Sequence, residues 1–374
     1  MKIALVRQRY IAVGGAERYL DALARELAGH GHEIHVFAHR WAAGASGLVF
    51  HPVPMIRAPS WLSTLTFAWN CRRVVAEANC DLVFSLERTL EQDIYRTAGG
   101  CHREYLIQRL RHSSPLKRVT IWLNPLHLMM RWLEKRVFDP RHTGFVIANS
   151  HQRREEICRH FQFPAERIHV IHNGVDCDNF RPRPERRDRF VLLFVGSGFR
   201  GKGLEYCVRA LAQLPAHVEL RVAGKGKPGA YMRLARRLGV ATRLSFAGMV
   251  SDMPALYATG DLLVLPAVYE SFANVCLEAM ACGLPVVTSR INGASEVIEA
   301  GRNGAIVEEP ANVPALAAAI RQFLHRAAWE KASVAARQTA ERLPFSLNVE
   351  RTLAVIELAQ VSAGAQNNSP CKTS

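Results

Sequence analysis

Glu270 and Glu278 stand eight positions apart in the stretch Pro266–Gly283. The run from Phe272 to Gly283 has the composition of a short apolar helix closed by glycine, which puts Glu270 just ahead of the helix and Glu278 inside it. At about 1.5 Å per residue the two carboxylates then lie roughly 10–12 Å apart. That is at or beyond the roughly 5–10 Å that a glycosidase acid–base pair needs. It matches instead the length of a sugar diphosphate, from hexose hydroxyls to ribose hydroxyls. Carboxylates accept hydrogen bonds from such hydroxyls. Between them, the N–H groups of Ser271, Phe272, Ala273 and Asn274 at the helix start suit the anion in the middle.

Cations belong near the same anion. Gly196-Ser197-Gly198-Phe199-Arg200-Gly201-Lys202-Gly203 follows the apolar run 190–195 and offers small residues with two positive charges, Arg200 and Lys202. Its spacing is not that of a nucleotide-hydrolysing phosphate loop. Gly14-Gly15 opens a helix after the first strand, where a backbone can approach a ligand closely. Asp176-Cys177-Asp178 has the spacing of a metal-diphosphate motif but lies in a turn-rich hinge, and no metal role is assigned to it.

The elements that must hold these loops alternate along almost the whole chain. Strand-like runs are expected at residues 2–7, 33–38, 82–85, 144–148, 168–171, 190–195, 219–223, 244–247, 261–265 and 285–288, with helical patterns between most of them. Such alternation makes an α/β protein with parallel, doubly wound sheets, and ligands of that architecture bind beyond the carboxyl ends of the strands. Turn residues, prolines and charges over residues 173–189 mark a hinge. The expected layout is a first Rossmann-like domain over 1–172, a second over 190–345, a cleft between them, and a disordered tail over 361–374.

The chain has 374 residues, 49 % apolar and 22 % charged, which excludes a disordered or low-complexity protein. No apolar run reaches the roughly 20 residues of a membrane span. Nine cysteines without paired spacing argue for a reducing compartment, hence the cytoplasm, and against a disulfide framework or structural zinc. A net charge of +15 favours an anionic partner. Nucleic acid is disfavoured, because no helix-turn-helix, zinc-finger or RNP signature accompanies the charge.

The E-x7-E pair is also where a family resemblance becomes visible. Together with Gly14-Gly15-Ala16-Glu17, Gly31-His32-Glu33, Asn173-Gly174-Val175-Asp176, Arg200/Lys202-Gly203, Ala281-Cys282-Gly283-Leu284-Pro285 and Asn303-Gly304, it resembles the family 4 retaining glycosyltransferases over about residues 1–360. The resemblance implies the GT-B fold, with a last helix, residues 346–360, returning to the first domain. It implies no metal cofactor and a nucleotide-sugar donor. By the same resemblance, Lys202 and Arg200 hold the donor's diphosphate, Glu278 its ribose, and Glu270 with the amides of Ser271–Asn274 its sugar. Gly14 and Gly15 border the diphosphate and acceptor. Arg200 departs from the family's usual placement, since Ser197 and Gly201 occupy the positions where the arginine often stands.

Ser85-Leu86-Glu87-Arg88, Gln92–Arg96 and Gly99–Glu104 are similar to enzymes that glycosylate the heptose region of lipopolysaccharide core, using UDP-glucose. His102 is then a cleft-lining side chain. The alternatives are a family 4 transferase using UDP-GlcNAc or GDP-mannose on another lipid-linked acceptor, or a nucleotide-sugar epimerase of similar fold. Residues 103–138 carry eight Lys/Arg against Glu104 and Glu134, mixed with Trp122, Trp132 and many aliphatics. That composition is expected of a surface-lying segment that docks reversibly on an anionic membrane face, placing the protein at the inner face of the inner membrane.

Overall fold

In the computed structural model, residues 1–10, 15–41, 47–97, 99–111, 115–182 and 189–367 are described. The chain divides into two compact units, residues 1–171 with 348–374, and residues 172–347.

The first unit is built on seven strands: β1 (Lys2–Val6), β2 (Glu33–Ala38), β3 (Val49–Pro52), β4 (Leu82–Ser85), β5 (Gln92–Arg96), β6 (Thr143–Ala148) and β7 (Ile168–Val170). They lie all parallel in the order β3-β2-β1-β4-β5-β6-β7. Its helices are α1 (Gly15–Gly29), α2 (Ser60–Glu77), α3 (His102–Arg111), α4 (Pro115–Trp122), α5 (Pro125–Val137) and α6 (His151–Phe161). The sheet order reverses at β1 and β4, so the loops after these strands meet at the switch point where such sheets bind ligands. Arg7 after β1 pairs there with Glu87 after β4 at 3.2 Å.

The second unit repeats the plan with six parallel strands, β8 (Phe190–Val195), β9 (Val218–Ala223), β10 (Leu244–Gly248), β11 (Leu262–Leu265), β12 (Val286–Ser289) and β13 (Gly304–Val307), in the order β10-β9-β8-β11-β12-β13. Its helices are α7 (Leu204–Leu211), α8 (Gly229–Arg237), α9 (Met253–Tyr257), α10 (Asn274–Ala281), α11 (Val313–Arg321) and α12 (Arg326–Glu341). Helices cover both faces of the sheet, so β8 and β11 are buried at every position, as their unbroken apolar sequences require. One core runs through Leu193, Phe194, Leu263, Met280 and Ile320. The switch point falls between β8 and β11. The loops leaving these two strands are Gly196–Gly203 and Pro266–Ala273, the two that carry the cations and the carboxylates.

All ten strands expected from sequence are present, within one residue at most ends. Among the described residues five more were not foreseen, two of them the short parallel pair Arg9–Tyr10 and Arg40–Trp41. Gln92–Arg96 carries Asp93 and Arg96 and reads as polar, Val49–Pro52 holds a histidine and a proline, and Gly304–Val307 begins on a glycine. The last two are edge strands, where burial asks less of the side chains. The last helix, α13 (Phe345–Asn367), continues beyond residue 361, where a disordered tail was expected to begin. Residues 183–188 of the expected hinge and 368–374 of the tail lie outside the described residues.

Candidate active site

Lys202 and Glu270, assigned from sequence to different parts of a donor, meet directly. Lys202 Nζ lies 2.6 Å from Glu270 Oε2, and the two side chains are 22 % and 25 % exposed. Three local features put them there. Gly196 has φ +147°, and a Cβ on it would stand 2.5 Å from Lys202 Cδ, so the lysine stem lies across a residue that must be glycine. Gly203 caps α7 in the left-handed conformation, φ +81°, with the Pro266 carbonyl oxygen 2.1 Å from where a Cβ would be. Finally, the Val268 N–H donates to the Gly201 oxygen at 2.9 Å, fastening one loop to the other.

Glu270 is held from its far side by the segment after β12. The Gly293 N–H donates to the Glu270 carbonyl at 3.1 Å. The fully buried Asn292 accepts from the N–H groups of Ala273 and Ala294, both at 3.2 Å, and donates to Thr288 Oγ1 at 2.9 Å. Two expectations change as a result. Helix α10 begins at Asn274 rather than near Phe272, because the Ala273 backbone is extended (ψ 107°) and its N–H is held by Asn292. Moreover, the Ala273 N–H, expected to face the donor, is satisfied by Asn292. Ser271 is buried, and the Asn274 side chain accepts a 2.6 Å hydrogen bond from Asn173, tying the Asn173-Gly174 motif to the start of α10. No side chain caps this helix, so its positive end is left for a ligand.

Glu278, half-buried on α10, accepts a 2.8 Å hydrogen bond from the Tyr257 hydroxyl. Tyr257 is fully buried, and burial together with the Glu278 charge pushes its phenol well above the ordinary range, so it acts as a donor at any ordinary pH. Arg200 is exposed. Burial raises the phenols of Tyr206 and Tyr231, and the Arg200 charge opposes that rise. Among the described residues, no hydrogen bond or ion pair joins Arg200 to Lys202 or Glu270. Asp176 accepts from the N–H groups of Asp178 and Asn179, both at 3.1 Å, and Asp178 pairs with Arg181, so this motif builds a turn.

In the first unit, Gly15 opens α1, and Gly14 lies outside the described residues. His102 is the first residue of α3 and is half-buried. Its N–H donates to Glu134 Oε1 at 2.6 Å, and the Arg103 N–H donates to Glu134 Oε2 at 3.0 Å. Glu134 is fully buried on α5 and also pairs with Arg88 at 3.2 Å. Arg88 in turn donates to the Gly100 carbonyl at 3.0 Å, closing a clamp on the loop that delivers His102. The His102 ring sits 3.0 Å from His127. Burial first, then the charges of Arg88, His127, Arg109 and Arg131, bring the His102 imidazole down to about 3, so it is neutral under all ordinary conditions.

Sequence reasoning did not single out Tyr257, Asn292, His127 or the inward role of Glu134. One signal was available. His127 and Glu134 are seven residues apart, hence on one face of α5 near Leu133 and Val137, where a solvated pair would be out of place.

Two family models match this chain: Glycosyltransferase Family 4 over residues 13–179 and Glycosyl transferases group 1 over residues 189–326, together most of its length. Among curated proteins, the lipopolysaccharide glucosyltransferase WaaG of Escherichia coli is 26 % identical over 354 residues, covering 87 % of this chain and 90 % of the relative. Among solved structures, WaaG, described as a glycosyltransferase involved in lipopolysaccharide biosynthesis, superposes with a TM-score of 0.81 at 23 % identity, covering 94 % of this chain and 98 % of that one. Anabaena HepE in complex with UDP and glucose superposes with a TM-score of 0.72 at 23 % identity, covering 95 % and 98 %. These likenesses give the fold, GT-B.

Proposed function

Because this chain belongs to glycosyltransferase family 4, we propose that it moves a hexose, with retention at the anomeric carbon, from a nucleotide diphosphate to a lipid-linked core saccharide, and that the pair is UDP-glucose and a heptose of the lipopolysaccharide inner core. The observation that carries the finer reading is the near-full-length similarity to a lipopolysaccharide glucosyltransferase.

The chemistry follows from charge placement. Breaking the sugar–phosphate bond leaves charge on the departing diphosphate, and groups that bind this charge more tightly in the transition state speed the reaction. Lys202 and the uncapped start of α10 supply that stabilisation, with Arg200 as a more distant cation. Glu278, held by Tyr257, takes the ribose hydroxyls. Glu270 takes hydroxyls of the transferred sugar, and Ser271 and Asn274 complete that contact. When a donor binds, Lys202 turns from Glu270 to the diphosphate, which frees the Glu270 carboxylate for the sugar. In the first unit, His102 with Gly14 and Gly15 meets the substrate. The test is a screen of UDP- and GDP-sugars against truncated core acceptors, with the product's anomeric configuration read by NMR. We expect UDP-glucose, a heptose acceptor and an α product. Preference for GDP-mannose or UDP-GlcNAc would move the chain to another transferase, and sugar interconversion without an acceptor would make it an epimerase.

The acceptor's lipid anchor calls for a membrane contact, and α3 to α5 offer one. Val119, Trp122, Leu123, Leu128 and Trp132 are about half exposed or more, and Arg131 lies over the Trp122 ring at 4.6 Å. The segment's two acids are both internal: Glu104 is buried against His160 at 2.8 Å, and Glu134 against Arg88. Its exposed charge is therefore all positive, while Ile121, Leu133, Val137 and Phe138 anchor the other face in the core. Among the described residues, no helix is long and apolar enough to cross a membrane. Each Lys or Arg near an anionic leaflet contributes about 1 kcal/mol. Binding to anionic vesicles is expected, weakened by salt and by changing Arg109, Arg111, Lys117 and Arg118 to Gln. Equal binding to neutral vesicles, or none to anionic ones, would remove the membrane from this proposal.

A further inference from the structure

His102 does not stand alone. Its Nε2 lies 3.0 Å from Nδ1 of His127, and Nε2 of His127 lies 3.4 Å from an Nη of Arg109. Arg109 sits two turns along α3 from His102, and His127, which is buried, projects from the first turn of α5. The three residues form a chain whose hydrogens can be assigned from one fixed end.

A guanidinium has only donors and stays protonated in proteins. At the Arg109–His127 contact the proton therefore belongs to arginine, and His127 Nε2 must accept. Burial and the Arg109 charge lower the His127 pKa, which keeps its ring neutral. A neutral imidazole that accepts at Nε2 carries its proton on Nδ1, and so donates to His102 Nε2. His102 is neutral too, and its own proton is then on Nδ1.

We propose that Arg109 and His127 are positioning residues that lock His102 as the Nδ1–H tautomer, so that His102 offers the substrate a hydrogen-bond donor and never a base. The group it meets is an oxygen with a lone pair to give, a sugar hydroxyl or an oxygen that gains negative charge as the glycosidic bond breaks. The surroundings fit a donor. Tyr105 from α3 and His127 from α5 pack against the ring, and the charges of Arg88 from the loop after β4, Arg109 from α3 and Arg131 from α5 act on it. Glu134, the nearby carboxylate, is engaged by Arg88 and by the backbone N–H groups of His102 and Arg103. This ring is thus surrounded by positive charge, the setting of an electrophilic contact rather than of a proton acceptor.

The inference rests on the reading that His102 meets the substrate, and the test separates the two. Nitrogen NMR of the full-length protein reads the tautomers without reference to activity. We expect His102 with its proton on Nδ1, unchanged from pH 5 to 8. A proton on Nε2 of His102 overturns the relay. For function, His127→Asn and His127→Asp are nearly the same size. Asn keeps an acceptor for Arg109 and a donor for His102, whereas Asp can only accept and pulls the His102 proton to Nε2. Relative to His127→Ala, His127→Asn should restore kcat to within about fivefold of the parent. His127→Asp should lower kcat about 10²-fold, the usual loss of one transition-state donor, with little change in KM for the donor. Because the new carboxylate raises the His102 pKa, the Asp variant should regain activity as pH falls, since the imidazolium carries a proton on Nδ1 again. Equal kcat for the Asn and Asp variants, both folded by circular dichroism, overturns the proposal. If His102→Ala keeps full activity while the NMR result holds, the relay stands and the catalytic reading of His102 fails.

Discussion

Changing Lys202 to Ala should lower kcat about 10²–10³-fold in a protein that still folds. The size follows from removing one cation that faces charge developing only in the transition state. The folding claim follows from the way the two loops are fastened. Lys202 and Glu270 join them, but so do the Val268–Gly201 hydrogen bond and the close packing of Gly203 on Pro266, and neither involves the ammonium group. Loss of a partly exposed pair costs only about 1 kcal/mol or less of stability. Lys202→Arg should recover part of the rate, since it keeps the charge but not the fit of a straight stem across Gly196. Steady-state kinetics with a melting curve on each variant decides. Activity within a few-fold of the parent in a folded Lys202→Ala protein would place the diphosphate elsewhere.

How much of this was legible beforehand depended on whether a residue's partner is local. Strands buried on both faces announce themselves, as Phe190–Val195 does, because every position must be apolar. The loops that carry chemistry were also readable, since small residues, cations and carboxylates sit directly after such strands. The partners of those groups were not. Lys202 and Glu270 are 68 positions apart, Tyr257 and Glu278 are 21, and His102 and His127 are 25. Sequence periodicity carries no information about contacts made through the sheet order, and the switch between β8 and β11 is what brings the first pair together. Glu134 was misread for the same reason. Counted as one of two acids on a basic surface segment, it is buried, and its charge is taken up by Arg88 and by two N–H groups of α3. Removing it from the surface count makes the exposed face of that segment more cationic than its composition suggested.

Removing either glutamate should impair the enzyme, but in opposite ways. In the proposed donor site, Glu278→Ala deletes hydrogen bonds to ribose that form before and during the reaction alike. Such uniform binding shows in affinity rather than turnover. A hydrogen bond to a charged group contributes about 1.5–3 kcal/mol, so Kd for UDP should rise about 10–100-fold while kcat changes little. The Tyr257 hydroxyl also loses its 2.8 Å partner in a fully buried setting, and the variant should melt a few degrees lower. Glu270→Ala does the reverse. It releases Lys202 from a 2.6 Å ion pair and leaves that ammonium wholly available to the diphosphate, so UDP binding should hold or tighten. Turnover should fall by about 10²-fold, because the sugar loses its carboxylate contact and Lys202 loses the group that aims it. Calorimetric titration with UDP, alongside kcat at saturating donor, separates the two variants. Weakening of UDP by Glu270→Ala as large as that by Glu278→Ala would mean that Glu270 is not at the sugar end of the donor. Equal small effects from both changes would remove the pair from the donor site altogether.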